Sequence, residues 1–206
     1  MSSPLIAVLD YGIGNLRSAQ KALQKVGADA RLTSDAGLVR DAAAVVLPGV
    51  GAFGACMSAL KTSGLEPLVR ARIADGRPFL GICVGMQMLF DDSEENPGVR
   101  GLGVIPGTVR YLPDTVKRPQ MQWNRVHVQH ADALFAGLPA EPWMYFVHSL
   151  HPVPNDASCI AATADYGCSV TAAVRKDNVF AVQFHPEKSA VDGLALLGNF
   201  VDSARA

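Results

Sequence analysis

Two periodicities alternate along the first half of the chain. Short apolar runs at residues 5–9, 28–32, 42–47 and 79–82 predict strands, and Pro48 is expected to stop the third. Between them, apolar positions recur every three or four residues. Leu16, Ala19, Leu23 and Val26 share one face of a helix expected over 16–26, which Gly27 ends as a C-cap residue. Residues 52–60 and 65–74 have the same helical spacing. This strand–helix rhythm predicts a parallel sheet with helices on both faces.

The second half changes character. Strand-like runs at 101–110, 125–129, 143–147, 159–163, 169–175 and 179–184 are shorter, rich in β-branched residues and separated by Gly, Pro, Asn and Asp. They predict an antiparallel layer, and residues 193–201 predict a closing helix. The expected fold class is α/β: a mostly parallel open sheet flanked by helices, with an added antiparallel layer. No repeat, low-complexity segment or long linker divides the sequence, so residues 1–206 are expected to form one domain.

Composition narrows the function only slightly. The 206 residues are 49% hydrophobic and 18% charged, which describes an ordinary globular protein. A formal net charge of −1 without a basic run gives no attraction for nucleic acid or an anionic membrane. No run is long enough to cross a bilayer, and the N-terminus lacks a signal-peptide pattern, so a cytoplasmic location is expected. Cys56, Cys83, Cys159 and Cys168 form no C-x-x-C pair and fit a reducing compartment.

One cysteine stands apart. Gly81-Ile82-Cys83-Val84-Gly85 follows the strand at 79–82 and precedes Met86-Gln87-Met88-Leu89-Phe90, which predicts the first turns of a helix. This is the cysteine form of the nucleophile elbow, in which flanking glycines allow a sharp turn and the helix start favours a thiolate. The same residues also fit a small buried hydrophobe in a tight turn. A nucleophilic sulfur needs a base and the base needs an orienting group. His185 ends the apolar strand at 179–184, and Glu187 lies two residues further on, on the same side if the chain is extended. A strand-end histidine beside a solvated glutamate is the alternative.

Three more segments invite a role. Pro48-Gly49-Val50-Gly51-Ala52-Phe53-Gly54 contains G-x-G-x-x-G, but it follows the third strand, and no acidic residue ends the next one. The loop is either a Gly-rich turn or a set of backbone N–H groups for an oxyanion. Asp91-Asp92-Ser93-Glu94-Glu95 is either solvated or places one carboxylate near a substrate ammonium. His148 and His151 form H-x-x-H without a further Cys or acidic ligand, so neither a metal nor a cofactor is expected.

Gly81-Ile82-Cys83-Val84-Gly85-Met86-Gln87, followed by Gln183-Phe184-His185-Pro186-Glu187, resembles the class I (triad) glutamine amidotransferases. Asp10-Tyr11-Gly12-Ile13-Gly14-Asn15, the Val50 loop, Trp123-Asn124, Tyr145-Phe146-Val147-His148-Ser149 and Lys188-Ser189 are similar to the branch serving imidazole glycerol phosphate synthase. The resemblance implies that Cys83 attacks the glutamine amide, that His185 transfers protons and that Glu187 orients His185. It implies an oxyanion hole around Gly51 and Val84, in a loop thought to need rearrangement before it donates properly. It places glutamine against Gly49, Gln87, Glu95, His148 and Ser149, and a partner against Asn15, Trp123 and Lys188. That partner is the cyclase subunit HisF, a (β/α)8 barrel, joined in a heterodimer. Only a short tail follows Phe200, so the ammonia acceptor is expected on another polypeptide. One departure is visible: Pro119-Gln120-Met121-Gln122-Trp123-Asn124 stands where the family usually reads P-H-M-G-W-N. Its glutamines are expected to affect the docking surface, away from the triad. Two other assignments stay open: a glutaminase subunit of another synthase, such as the pyridoxal phosphate type, and a non-catalytic interaction module on the same fold.

Overall fold

The computed structural model describes residues 3–14 and 16–205. Its strands are β1 (Leu5–Leu9), β2 (Asp29–Thr33), β3 (Ala44–Gly49), β4 (Phe79–Cys83), β5 (Asp92–Ser93), β6 (Gly107–Tyr111), β7 (Gln120–Arg125), β8 (His127–Val128), β9 (Trp143–His148), β10 (Leu150–Pro154), β11 (Ile160–Asp165), β12 (Ser169–Lys176) and β13 (Val179–Val182). The helices are α1 (Leu16–Lys25), α2 (Ala36–Asp41), α3 (Phe53–Thr62), α4 (Glu66–Ala74), α5 (Val84–Gln87) and α6 (Ala190–Ser203).

Eight strands form the main sheet in the order β2-β1-β3-β4-β13-β12-β11-β8. β2, β1, β3, β4 and β13 pair in parallel, whereas β12, β11 and β8 extend the sheet by antiparallel pairing. β3 and β4 are buried along their whole length, as central strands covered on two faces should be. α1 packs on α6 and α2 on α4, in keeping with right-handed crossovers that put helices on both faces. α1 turns Leu16, Ala19, Ala22 and Leu23 inward; Val26, expected on that face, is only partly buried. Two small sheets, β10-β6-β5 and β7-β9, lie apart from the main one. No helix among the described residues is long and apolar enough to cross a membrane.

Several boundaries differ from the sequence expectation. Pro48 does not stop β3, which runs on to Gly49. The Pro48 carbonyl faces the β1 side and accepts a hydrogen bond from Tyr11 Oη at 2.5 Å. Its missing N–H therefore falls where the β1 register has already ended, at Val46. The helix after Cys83 spans only Val84–Gln87. Beyond it, the carbonyls of Met88, Leu89 and Phe90 bond the amides of Leu102, Val104 and Gly103 instead of continuing the helix. Gly101 is essential to that contact, because a Cβ there would lie 2.2 Å from Phe90 O. The run at 101–110 is consequently irregular until β6 begins at Gly107, and the run at 125–129 is split between β7 and β8. α2 was missing from the sequence expectation; it has six residues, includes Gly37, and is capped by Asp35 accepting from Leu38 N at 2.7 Å.

Candidate active site

The parallel pairing of β4 with β13 sets Val182 opposite Ile82. Cys83 and the residues after Val182 therefore emerge together at the carboxyl edge of the sheet, where open α/β folds form their crevices. Cys83 has φ 57° and ψ −114°. That positive φ is costly for a residue with a Cβ. Neither Gly81 nor Gly85 has a positive φ, so the glycines are not the residues that make the turn, contrary to expectation. Their role is close approach. A Cβ on Gly85 would sit 1.9 Å from Leu47 O, and one on Gly49 would sit 2.4 Å from Gly85 N. Absence of side chains lets α5 press against β3 and holds the turn between them. The dipole of so short a helix is small, which weakens the expected helix contribution to thiolate formation.

His185 is fixed on several sides. Its N–H donates to Tyr145 O at 2.9 Å, and its carbonyl accepts from Ser189 Oγ at 2.6 Å. Its Nδ1 lies 2.8 Å from Glu187 Oε1, with both side chains almost wholly shielded from water. Cys83 also acts on the ring, through hydrogen bonding and charge, and lines one cavity with it. Burial alone disfavours the imidazolium. The hydrogen bonds and negative charges of Cys83 and Glu187 outweigh it and raise His185 to about 10. Glu187 Oε2 is buried without a hydrogen-bond partner among the described residues.

A cavity of about 300 Å³ opens over this group. Its lining includes Gly51, Cys83, Val84, Gln87, Glu95, His148, Ser149, His185 and Lys188. Of the acidic run, Glu95 is the one residue that reaches it, and Glu95 Oε2 also accepts from Phe53 N at 2.6 Å. His148 is buried, and burial, helped by the nearby His151 and His185, lowers it to about 4. Gly49 sits behind the cavity as the β-partner of Cys83 rather than in its lining. Trp123 and Lys188 are exposed; Asn15 lies outside the described residues.

Three side chains at the site had no role in the sequence expectation, and a fourth was expected elsewhere. Gln183 is fully buried, donates to Cys83 Sγ at 3.7 Å and accepts from Gln87 Nε2 at 3.1 Å. A lone polar residue closing the apolar run at 179–182 was its signal. Tyr11 is buried with its hydroxyl on Pro48 O, and Cys56 Sγ donates to Val50 O at 3.2 Å, so both ends of the Gly49–Val50 segment are tied down. Gln120 was expected on the docking surface, but it is fully buried and contacts His148 Nε2 at 2.9 Å. Its place in the register explains this correction: Gln120 pairs with the buried His148 at the end of β9, while Met121, Gln122 and Trp123 further along β7 are exposed.

The chain matches the family model described as glutamine amidotransferase class-I over residues 7–204. It is 50% identical to "Imidazole glycerol phosphate synthase subunit HisH" of Syntrophotalea carbinolica, with 96% of this chain and all of that one covered. It is 48% identical to the protein of the same name from Methanothermobacter thermautotrophicus, covering 98% of this chain and 100% of the other. The structure titled "Structure of PurLQS from Thermotoga maritima" superposes with a TM-score of 0.77 over 97% of this chain and 98% of that chain; at 19% identity it speaks for the fold alone. The elbow, the parallel sheet behind it and the near-complete match together establish that this chain belongs to the class I glutamine amidotransferase family.

Proposed function

We propose that the chain hydrolyses glutamine to glutamate and ammonia as the glutaminase subunit of imidazole glycerol phosphate synthase, in the cytoplasm. The observation that carries this reading is that Cys83 and His185, about a hundred residues apart in sequence, line one cavity while Glu187 holds His185 at Nδ1.

In the proposed reaction, Cys83 Sγ forms a bond to the amide carbon of glutamine, and the carbonyl oxygen takes the negative charge. Backbone N–H groups near Gly51 and Val84, both at the cavity, are the candidates to stabilise it. The C–N bond then breaks as His185 gives its proton to the departing nitrogen, leaving a glutamyl thioester and ammonia. Water attacks the thioester while His185 takes its proton, and glutamate leaves with Cys83 restored. Glu187 holds the ring through Nδ1, which leaves Nε2 for the proton transfers with the sulfur and the substrate. Glu95 offers a carboxylate to the substrate ammonium, while Gln87, His148 and Ser149 bound the remainder of the cavity.

Ammonia protonates readily in neutral water and then loses its nucleophilic lone pair. A synthase therefore gains from receiving it directly, which supports a heterodimer with the cyclase HisF, docked where Trp123 and Lys188 are exposed. The test is a glutaminase assay with and without the cyclase and its ligand. Activity is expected to be low for the isolated chain and to rise in the complex. Cys83→Ala should abolish glutamine-dependent synthesis yet leave ammonia-dependent synthesis intact; loss of both would contradict a separate ammonia-producing site.

A further inference from the structure

Gln120 and His148 face each other across the β7–β9 register. The His148 ring is held at both nitrogens: Nδ1 lies 2.8 Å from Leu150 O, and Nε2 lies 2.9 Å from Gln120 Oε1. Gln120 Nε2 is buried with no hydrogen-bond partner among the described residues. These facts constrain the proton positions.

A backbone carbonyl only accepts, so His148 Nδ1 must carry a hydrogen. If Nε2 also faced an oxygen it too would need a hydrogen, making the ring a buried imidazolium. The Leu150 carbonyl favours such a charge, but burial outweighs it. The titratable groups acting on the ring are His151 and His185, both bases, and burial with these neighbours lowers His148 to about 4. The ring is therefore neutral, its Nε2 bears a lone pair, and that lone pair needs a donor. The carboxamide of Gln120 supplies one when its nitrogen, not its oxygen, faces the ring. The two orientations differ by a half-turn that exchanges atoms of nearly equal size. That half-turn also gives the orphaned amide nitrogen an acceptor.

We infer that Gln120 donates an amide N–H to His148 Nε2 and thereby fixes His148 as the neutral tautomer protonated at Nδ1. Gln120 is then a positioning residue. It keeps the second histidine at the cavity uncharged while His185 holds the proton used in turnover. The effect on turnover rests on the glutaminase reading; the tautomer does not.

Nitrogen-15 NMR of the full chain tests the tautomer directly. At neutral pH the expected spectrum has His148 Nδ1 protonated and Nε2 bare, and a protonated Nε2 overturns the inference. Gln120→Glu replaces the donor by a carboxylate that can only accept. The His148 titration should then move up by about one unit or more. Gln120→Met, which offers neither charge nor donor, should not raise it; an unmoved titration in Gln120→Glu also overturns the inference. Kinetics supply the second readout: Gln120→Glu should lower kcat/KM for glutamine about tenfold near neutral pH, chiefly through KM, and recover as pH rises and the ring loses its charge. Unchanged kinetics despite a charged His148 would refute the role in the site. A wild-type complex that hydrolyses no glutamine would instead sink the functional reading and leave the spectroscopic test standing.

Discussion

Glu187→Gln isolates the contact that holds His185. The carboxylate lies 2.8 Å from Nδ1, and the two side chains are 4% and 5% exposed, so little water screens them. The amide keeps the shape and an acceptor oxygen and removes a full charge. Burial alone would make the ring neutral; Cys83 and Glu187 together raise it to about 10. One opposite charge at this range shifts a titration by about 1–3 units, so His185 is expected at about 7–9 in the variant, a loss of about 1.4–4 kcal/mol of imidazolium stabilisation. The sign for stability follows from proton counting. Between about 6.5, the unfolded value, and about 10, the native ring holds a proton that the unfolded ring has released. The unfolding free energy therefore falls as pH rises across that window. The contribution of His185 is complete below about 6.5 and gone above about 10; in the variant it should be gone by about 7–9. Urea unfolding across this range should show a shallower decline for Glu187→Gln, and NMR of His185 should show the lower midpoint directly. Glutamine turnover by the complex should drop by about 10²–10⁴-fold, since the ring loses both its orientation and its charge partner. An identical His185 midpoint in both proteins would refute the argument.

Tyr11→Phe keeps the buried ring but removes the hydroxyl on Pro48 O, stranding a buried acceptor; urea unfolding should record a loss of about 1–3 kcal/mol, and an unchanged midpoint would mean that the contact does not stabilise the loop. Gly85→Ala puts a Cβ 1.9 Å from Leu47 O, a backbone atom that cannot swing aside. A loss of about 3 kcal/mol or more is expected on thermal unfolding, together with slower labelling of Cys83 by a glutamine-analogue electrophile, and wild-type behaviour in both would disprove the close-packing role.

The parallel half of the fold was legible because its signals are local. β1 and the start of α1 are where the apolar spacing put them, and β4 delivers Cys83 one residue beyond its expected end. The connections around the site were less legible because their causes are distant. Pro48 does not end β3 because of where β1 stops, which residue 48 itself cannot reveal. The turn after Gln87 depends on amides supplied by residues 102–104, and the run at 101–110 was misread for the same reason. Cys83, His185 and Glu187 stood out in sequence through chemistry and strand-end position. The buried roles of Gln183, Gln120 and Tyr11 did not, because such a role shows itself only through the partner that satisfies it, and each partner here lies at least 28 residues away.

The strain at Cys83 and the glycines beside it are best understood as one device. A positive φ at a residue with a Cβ costs roughly 1–3 kcal/mol, and persists only where surrounding contacts leave no alternative. Those contacts run from β3 to α5: Gly49 meets Gly85 N, and Gly85 meets Leu47 O, at distances that admit no side chain on either residue. α5 is thereby forced directly against the strand, and relaxing Cys83 to a negative φ would require separating them. The cost is borne by packing remote from the sulfur, which leaves the sulfur side of the turn facing the cavity and His185. On this account a glycine at residue 83 would relieve the strain and remove the nucleophile at once, so the stability of Cys83→Gly relative to Cys83→Ala should measure how much strain the elbow holds. The glycine variant should be the more stable of the two despite its greater unfolded-state freedom, and the reverse order would show that the turn is not strained.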